Sequence, residues 1–286
     1  MMSNPINCRV QAPAKINFLL KVVGKRPDGY HNLVSVMVPV DLCDSIHLHS
    51  TQEAGISLTC KGLSLPSGED NLVFRAAEAF YREAGILPRV HMTLDKVIPV
   101  AAGLGGGSSD AAVTLLALND HYQKPLPRQR LGAIAAKLGA DVPFFLYRRP
   151  CIATGIGDVL EPLELWPSLW YLIIKPPFSV STGWVYRNLK LELTSTSTED
   201  ILKHLKKQPF EISRLLENDL ERVTASKFPV ILTIKKALLE AGAAGVGMSG
   251  SGPSVFGVFT DRGRLNDAAR VMFSLDFGQV FAVRGL

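Results

Sequence analysis

Apolar and polar positions alternate with a period of two through residues 6–23, in two pieces around Ala12-Pro13-Ala14-Lys15. The second piece, Ile16–Val23 (INFLLKVV), reads as a strand. Leu33–Val40 and Ser45–Ser50 predict two more, the latter setting Ile46 and Leu48 against His47 and His49. With no third ligand nearby, His47 and His49 read as a solvated strand face rather than a metal pair. Gly68–Asn71 is a turn, after which Leu72, Ala76, Ala79 and Phe80 repeat with helical spacing and predict a helix over Leu72–Ala84. A strand at Val90–Leu94, a buried helix at Ala111–Leu118 and a second helix at Arg128–Leu138 follow. Cys151–Leu160 is strand-like, with Gly155 and Gly157 as turn points.

The pattern changes at Trp166. Trp170–Lys175 (WYLIIK) predicts a buried strand ended by Pro176-Pro177, and Thr182–Leu189 a helix. Ser195–Pro209 is polar with a basic face of Lys203, Lys206 and Lys207. Pro229–Ala241 and Arg262–Leu275 predict helices, Ser254–Phe259 and Gln279–Arg284 strands. Antiparallel-looking strands with helices in blocks, rather than strict βαβ alternation, indicate an α+β protein. A boundary near Glu161–Pro167 divides it into domains 1–162 and 163–286, with no internal repeat.

Composition adds bounds. A chain of 286 residues, 47% hydrophobic and 20% charged, builds a substantial core and has room for two domains. A net charge of +5 and a pI near 9.0 suit an anionic small ligand as well as a nucleic acid. Cys8, Cys43, Cys60 and Cys151 form no C-x-x-C pair, so buried thiols in a reducing compartment are expected and a zinc site is not. The start, MMSNPINCRV, lacks a basic-then-apolar leader, and no apolar run reaches membrane-spanning length. The expectation is a soluble cytoplasmic protein without a membrane partner.

The candidate chemistry centres on Pro99–Val113, PVAAGLGGGSSDAAV. Gly105, Gly106 and Gly107 let a ligand approach the backbone N–H groups, and Ser108, Ser109 and Asp110 read as N-cap and first-turn residues of the following helix. A glycine loop feeding a helix start is an anion site, usually for phosphate. It is neither a Walker A, lacking Gly-Lys-Ser/Thr, nor a spaced dinucleotide fingerprint, so its lysine and carboxylate lie elsewhere. Three further motifs are candidates: Pro13-Ala14-Lys15-Ile16-Asn17, Gly139-Ala140-Asp141-Val142-Pro143, and a second glycine loop, Met248-Ser249-Gly250-Ser251-Gly252-Pro253-Ser254. Each has a plain alternative: a strand-end lysine snorkelling to water, a helix N-cap, and a tight turn.

In combination these motifs resemble the GHMP kinase superfamily of small-molecule kinases. PVAAGLGGGSSDAA is similar to its ATP phosphate loop and MSGSGPSVFG to its C-terminal glycine motif. Within it, QAPAKINFLLKVVGKRPDGYHNLVSV and GADVPFF resemble the branch that phosphorylates the 2-hydroxyl of 4-diphosphocytidyl-2-C-methyl-D-erythritol in non-mevalonate isoprenoid synthesis. The resemblance is thinnest from about Glu161 to Ala241. It implies a two-domain fold: a ribosomal-protein-like N-terminal α/β domain that binds ATP and a ferredoxin-like α+β C-terminal domain. It also implies ATP contacts from Pro99, Val100, Ala101, Ala102, Gly103, Leu104, Gly105, Gly106, Gly107, Ser108 and Ser109, with Lys15 and Asp141 catalytic. Tyr30 and His31 mark the cytidine end, Asn17 lies beside the reacting group, and Tyr186 falls where an aromatic stacks on cytosine. At Ala101 the family's loop commonly has another glycine. ATP with Mg²⁺ is the implied co-substrate, a loop hydroxyl such as Ser108 or Ser109 being a candidate metal ligand, with no tightly bound cofactor. A cytidine-diphosphate-linked sugar alcohol is the implied partner, for a monomer or homodimer. The alternatives are a mevalonate- or homoserine-type kinase of the same superfamily, and a nucleic-acid-binding protein. Scattered cations and the lack of an aromatic-plus-basic RNA motif disfavour the last.

Overall fold

The computed structural model describes residues 5–63, 65–190, 199 and 212–286. The basic face expected at Lys203, Lys206 and Lys207 lies outside them. The chain forms two compact units, each drawn from separate stretches. One comprises Met1–Ala14, Leu42–Pro99 and Gly105–Arg148; the other comprises Lys15–Asp41, Val100–Leu104 and Arg149–Leu286.

Two strands, β1 (Asn7–Lys25) and β2 (His31–Ser50), are longer than their sequence pattern suggested. Neither the Ala12–Lys15 stretch nor the gap between Val40 and Ser45 breaks a strand. Ala12, Ala14 and Lys15 are buried in the ladder, and Leu42, Asp44 and Ser45 are buried too. Polar residues in these gaps had read as interruptions, but they are paired inside the protein.

In the first unit, the end of β2 pairs antiparallel with β4 (Arg89–Asp95), Ser45 opposite Asp95 and Ser50 opposite Val90. β3 (Gly55–Lys61), a strand with no clear alternation in its sequence, pairs parallel with β4. Its burial is intermittent, so its pattern carries little signal. The β2–β4 register sets His49 opposite His91, with ring centroids 4.9 Å apart, and His47 lies 5.5 Å from His49. His91 is thus brought across the sheet to the pair, but among the described residues no group of His, Cys, Asp and Glu could hold a metal ion. The helices are α1 (Leu72–Ala84), α2 (Gly106–His121), α3 (Arg128–Leu138) and the short α4 (Val142–Phe145). Asn71 caps α1, accepting from the Val73 amide, and Gly85 ends it in the left-handed conformation. α2 buries Ala111, Ala112, Val113, Leu115 and Leu118 among α1, α3 and α4, which explains its nearly uniform apolar composition.

In the second unit, β5 (Cys151–Thr154) pairs with the start of β2 and with β6 (Val159–Pro162). A separate antiparallel sheet runs in the order β10 (Gln279–Arg284), β7 (Trp170–Lys175), β9 (Val255–Phe259), β8 (Gly245–Met248). The other helices are α5 (Thr182–Asn188), α6 (Ile212–Leu215), α7 (Glu221–Lys227), α8 (Val230–Glu240) and α9 (Arg262–Ser274). They share a core of Leu172, Ile174, Val185, Ile231, Ile234, Leu238, Val255, Phe259 and Met272. At roughly 25 cal/mol per Å² of apolar surface, burying such a side chain contributes about 1.5–3 kcal/mol. Antiparallel pairing with helices beside it is the α+β arrangement that the sequence indicated.

Candidate active site

The glycine loop is anchored at its entry by buried charge. Asp44 accepts hydrogen bonds from the amides of Val97 (2.6 Å) and Ile98 (2.8 Å) through Oδ1. Its Oδ2 pairs with the Lys96 ammonium, which also donates to Asp110 Oδ2 at 2.8 Å. Burial alone would lower the lysine's pKa, but Asp110 and Asp44 outweigh it and hold it raised. Asp110 is pushed up to about 7 by burial and by Asp44, against the pull of Lys96.

The helix begins earlier than the hydroxyls suggested. Gly105, at φ +70°, is the N-cap; α2 starts at Gly106, and no side chain caps this end. Ser108, Ser109 and Asp110 lie inside the helix rather than at its cap. A glycine N-cap leaves the first-turn N–H groups and the positive end of the helix for a ligand. Ser109 Oγ and Asp110 Oδ1 are buried there without a hydrogen-bond partner among the described residues.

The preceding residues rest on the second unit's strands. Leu104 accepts from the Lys15 amide (2.9 Å) and Ala102 from the Ser254 amide (3.4 Å). Gly103, at φ +77°, lies so close to the second glycine loop that a Cβ would be 2.1 Å from the Ser249 carbonyl oxygen. The Ser249 hydroxyl donates to the Gly103 carbonyl (2.8 Å) and accepts from the Asn17 amide (3.1 Å). Lys15 does not snorkel. It is 4% exposed, and its ammonium donates to Asn17 Oδ1 at 2.5 Å. Asn218 braces the second loop by donating to the carbonyls of Met248 and Gly250. The loop is thus packed and hydrogen-bonded to Asn17, Gly103 and Asn218 rather than free-standing.

Farther along the same unit, the His31 and Tyr186 rings stack at 5.2 Å and 24°. Burial, then the nearby Lys25 charge, lowers the His31 pKa, favouring a neutral imidazole. Tyr30 is 61% exposed in the turn between β1 and β2, its amide donating to Asp28 Oδ1. In the first unit, Asp141 occupies the N-cap position of α4, but its side chain makes no capping bond. α4 packs on α2, the helix that the glycine loop opens. Pro99, half-buried, and Val100 and Ala101, exposed, complete the loop. Residues that sequence reasoning did not single out include Asp44, Lys96, Ser35 and Asn218. Their signal is a polar residue inside an apolar run, as with Ser35 in LVSVMV, but partners so remote in sequence leave no local pattern.

Comparison with known proteins adds the lineage. Residues 71–149 match the GHMP kinases N terminal domain and residues 202–275 the GHMP kinases C terminal. A 4-diphosphocytidyl-2-C-methyl-D-erythritol kinase of Geobacter sp. (strain M21) is 47% identical over 258 residues, covering 90% of this chain and 91% of that protein. The chain belongs to the GHMP kinases. The equivalent kinase of Syntrophotalea carbinolica is 47% identical over 274 residues, covering 95% of this chain and 96% of the relative. A crystal structure of 4-(cytidine 5'-diphospho)-2C-methyl-D-erythritol kinase superposes with a TM-score of 0.81 at 36% identity, covering 97% of this chain and 99% of that one. This GHMP kinase has the two-domain fold of its structural neighbours, as the resemblance implied. Among the described residues no helix is long and apolar enough to cross a membrane.

Proposed function

We propose that this GHMP kinase transfers the γ-phosphoryl group of ATP to the 2-hydroxyl of 4-diphosphocytidyl-2-C-methyl-D-erythritol. The observation that carries this reading is the buried Lys15–Asn17 pair, tied through Ser249 to Gly103 of the glycine loop. The burial of Lys15, 4% exposed with its ammonium held by Asn17 Oδ1, supports a catalytic rather than a solubilising role. The relatives' names supply the substrate.

Asp141 is the general base in this reading. The acceptor is a tertiary, hindered hydroxyl, and removing its proton as attack develops is worth about 10²–10⁴ in rate. Lys15 balances charge on the transferring group. Pro99–Ser109 cradle the ATP phosphates, and the uncapped start of α2 stabilises the leaving oxygen. The donors fit Mg²⁺ carried on ATP, since Ser109 Oγ is a hard oxygen without a hydrogen-bond partner among the described residues and Ser108 lies beside it. Bound there, Mg²⁺ would neutralise phosphate charge. Tyr30, His31 and Tyr186 form the cytidine end, their rings suited to stacking on a base, and Asn17 lies next to the reacting group. The division into an ATP-binding and catalytic part at 1–162 and a C-terminal GHMP kinase part at 163–286 goes with this reading. So does a cytoplasmic monomer or homodimer.

Steady-state kinetics of Asp141→Asn and Lys15→Ala test the roles, with ADP release followed over candidate acceptors. Both variants should lose at least about 100-fold in kcat. A variant with wild-type kcat refutes its assignment, and preference for mevalonate or homoserine refutes the substrate.

A further inference from the structure

Ser35 is completely buried in the apolar start of β2 and has no role in the reading above. Its hydroxyl donates to the Leu19 carbonyl at 2.6 Å, and Asn17 Nδ2 donates to Ser35 Oγ at 2.8 Å. Asn17 Oδ1 in turn accepts from the Lys15 ammonium. Direction is fixed along this line. A carbonyl only accepts, so the single serine proton goes to Leu19 and Ser35 can only accept from Asn17. An ammonium only donates, so Lys15 requires an oxygen. Both ends therefore demand one orientation of the Asn17 amide, Nδ2 towards Ser35 and Oδ1 towards Lys15. The backbone at Asn17 is held separately, through its amide on Ser249. The side chain's torsion is what Ser35 adds.

We propose that Ser35 is a positioning residue for Lys15, fixing the Asn17 amide so that Oδ1 holds the ammonium. This rests on Lys15 as the catalytic lysine. Without the hydroxyl, Asn17 Nδ2 is a buried donor lacking its acceptor, and the amide loses the contact that fixes its torsion, so Oδ1 is held less firmly against the Lys15 ammonium. The cost then falls on the chemical step rather than on ATP capture. Ser35 also explains the polar residue in LVSVMV, where the ladder itself asks only for apolar side chains.

A double-mutant cycle tests this, with rates expressed per folded enzyme from urea titrations. Ser35→Ala should lower kcat about tenfold, with KM for ATP within about threefold, and Ser35→Thr, which keeps the hydroxyl, should recover most of the loss. In a Lys15→Ala background the same Ser35→Ala change should alter kcat less than about twofold, because its target is gone. Equal losses in both backgrounds mean a merely structural role and overturn the proposal. Wild-type kcat in Ser35→Ala, alongside a loss in Lys15→Ala, overturns the proposal alone. Wild-type kcat in Lys15→Ala overturns the reading of Lys15 and the proposal with it. Should Ser35→Ala not fold, Ser35→Cys carries the same cycle, since a thiol is close in size and a weak hydrogen-bonding group.

Discussion

Replacing Gly103 with alanine tests whether the glycine loop depends on its seat against the second glycine motif. Two costs add. At φ +77° an L-residue with a Cβ is strained by about 1–2 kcal/mol. The new Cβ would also lie 2.1 Å from the Ser249 carbonyl oxygen, where ordinary contact begins near 3.4 Å, so the two backbones must part by 3.4 − 2.1 = 1.3 Å. That separation stretches the Ser249–Gly103 and Asn17–Ser249 hydrogen bonds, each worth about 1 kcal/mol. The sum is about 3–4 kcal/mol, or, at about 2.1 cal/mol/K of unfolding entropy per residue, a fall of roughly 5–7 °C in Tm. If these groups hold the ATP phosphates as proposed, displacing them by about 1 Å should also cost on the order of 100-fold in kcat/KM for ATP. Calorimetry and an ADP-coupled assay read both. Gly107→Ala is the control for the calorimetry alone, since its Cβ meets only Leu72 Cδ1 at 3.6 Å and its φ is not left-handed. There alanine should be neutral or stabilise by about 0.5–1 kcal/mol. A Gly103→Ala protein with a Tm within 2 °C and kcat/KM within threefold of wild type, margins well inside roughly those estimates, would refute the reasoning.

Ala101, at φ +51°, is strained where the family's loop commonly has glycine. Ala101→Gly should therefore gain about 0.5–1 kcal/mol net of unfolded-state entropy, read as a raised Tm, with KM for ATP unchanged. Lys96→Met leaves Asp44 and Asp110 buried without their shared cation and should cost about 3–5 kcal/mol in urea unfolding. The pKa of His91 is lowered by burial and by the nearby His49 and His47, so the folded protein takes up this proton less readily than the unfolded chain. Stability should be full above about pH 6.5 and fall as pH drops through the folded pKa below it, and His91→Gln should flatten the Tm profile in that window. The His31 pKa is also lowered, so part of the slope should remain.

Local pattern revealed the elements whose environment is one-sided or wholly apolar. α1 announces itself by its spacing, β7 by WYLIIK, and the α2 body by AAVTLLAL. β3 escaped because its partner β4 is parallel and distant and its side chains are only intermittently buried. The start of α2 was misplaced because serine and aspartate are strong cap formers in isolation. A left-handed glycine one residue ahead of the helix leaves no side-chain signature of its own. Among the candidate site residues, Lys15, Asn17 and Asp141 stand out through their motif contexts, and the glycine loop through composition. The supports were not. Asp44 meets Lys96 across 52 residues and Ser249 meets Asn17 across 232, and a single sequence carries no trace of such pairings.

The Ser249–Asn17 bond also sets an order of events in the cell. At roughly 5–20 residues per second, about 10–50 s separate synthesis of Asn17 from that of Ser249. Once Gly107 has been added the nascent chain has Lys15, Asn17 and the glycines of the first loop, but until Ser249 follows it has neither the hydroxyl that bonds Gly103 nor the carbonyl against which it packs. If the loop holds ATP as proposed, nucleotide binding waits until Ser249 has been added, and fragments ending before it should compete poorly for ATP.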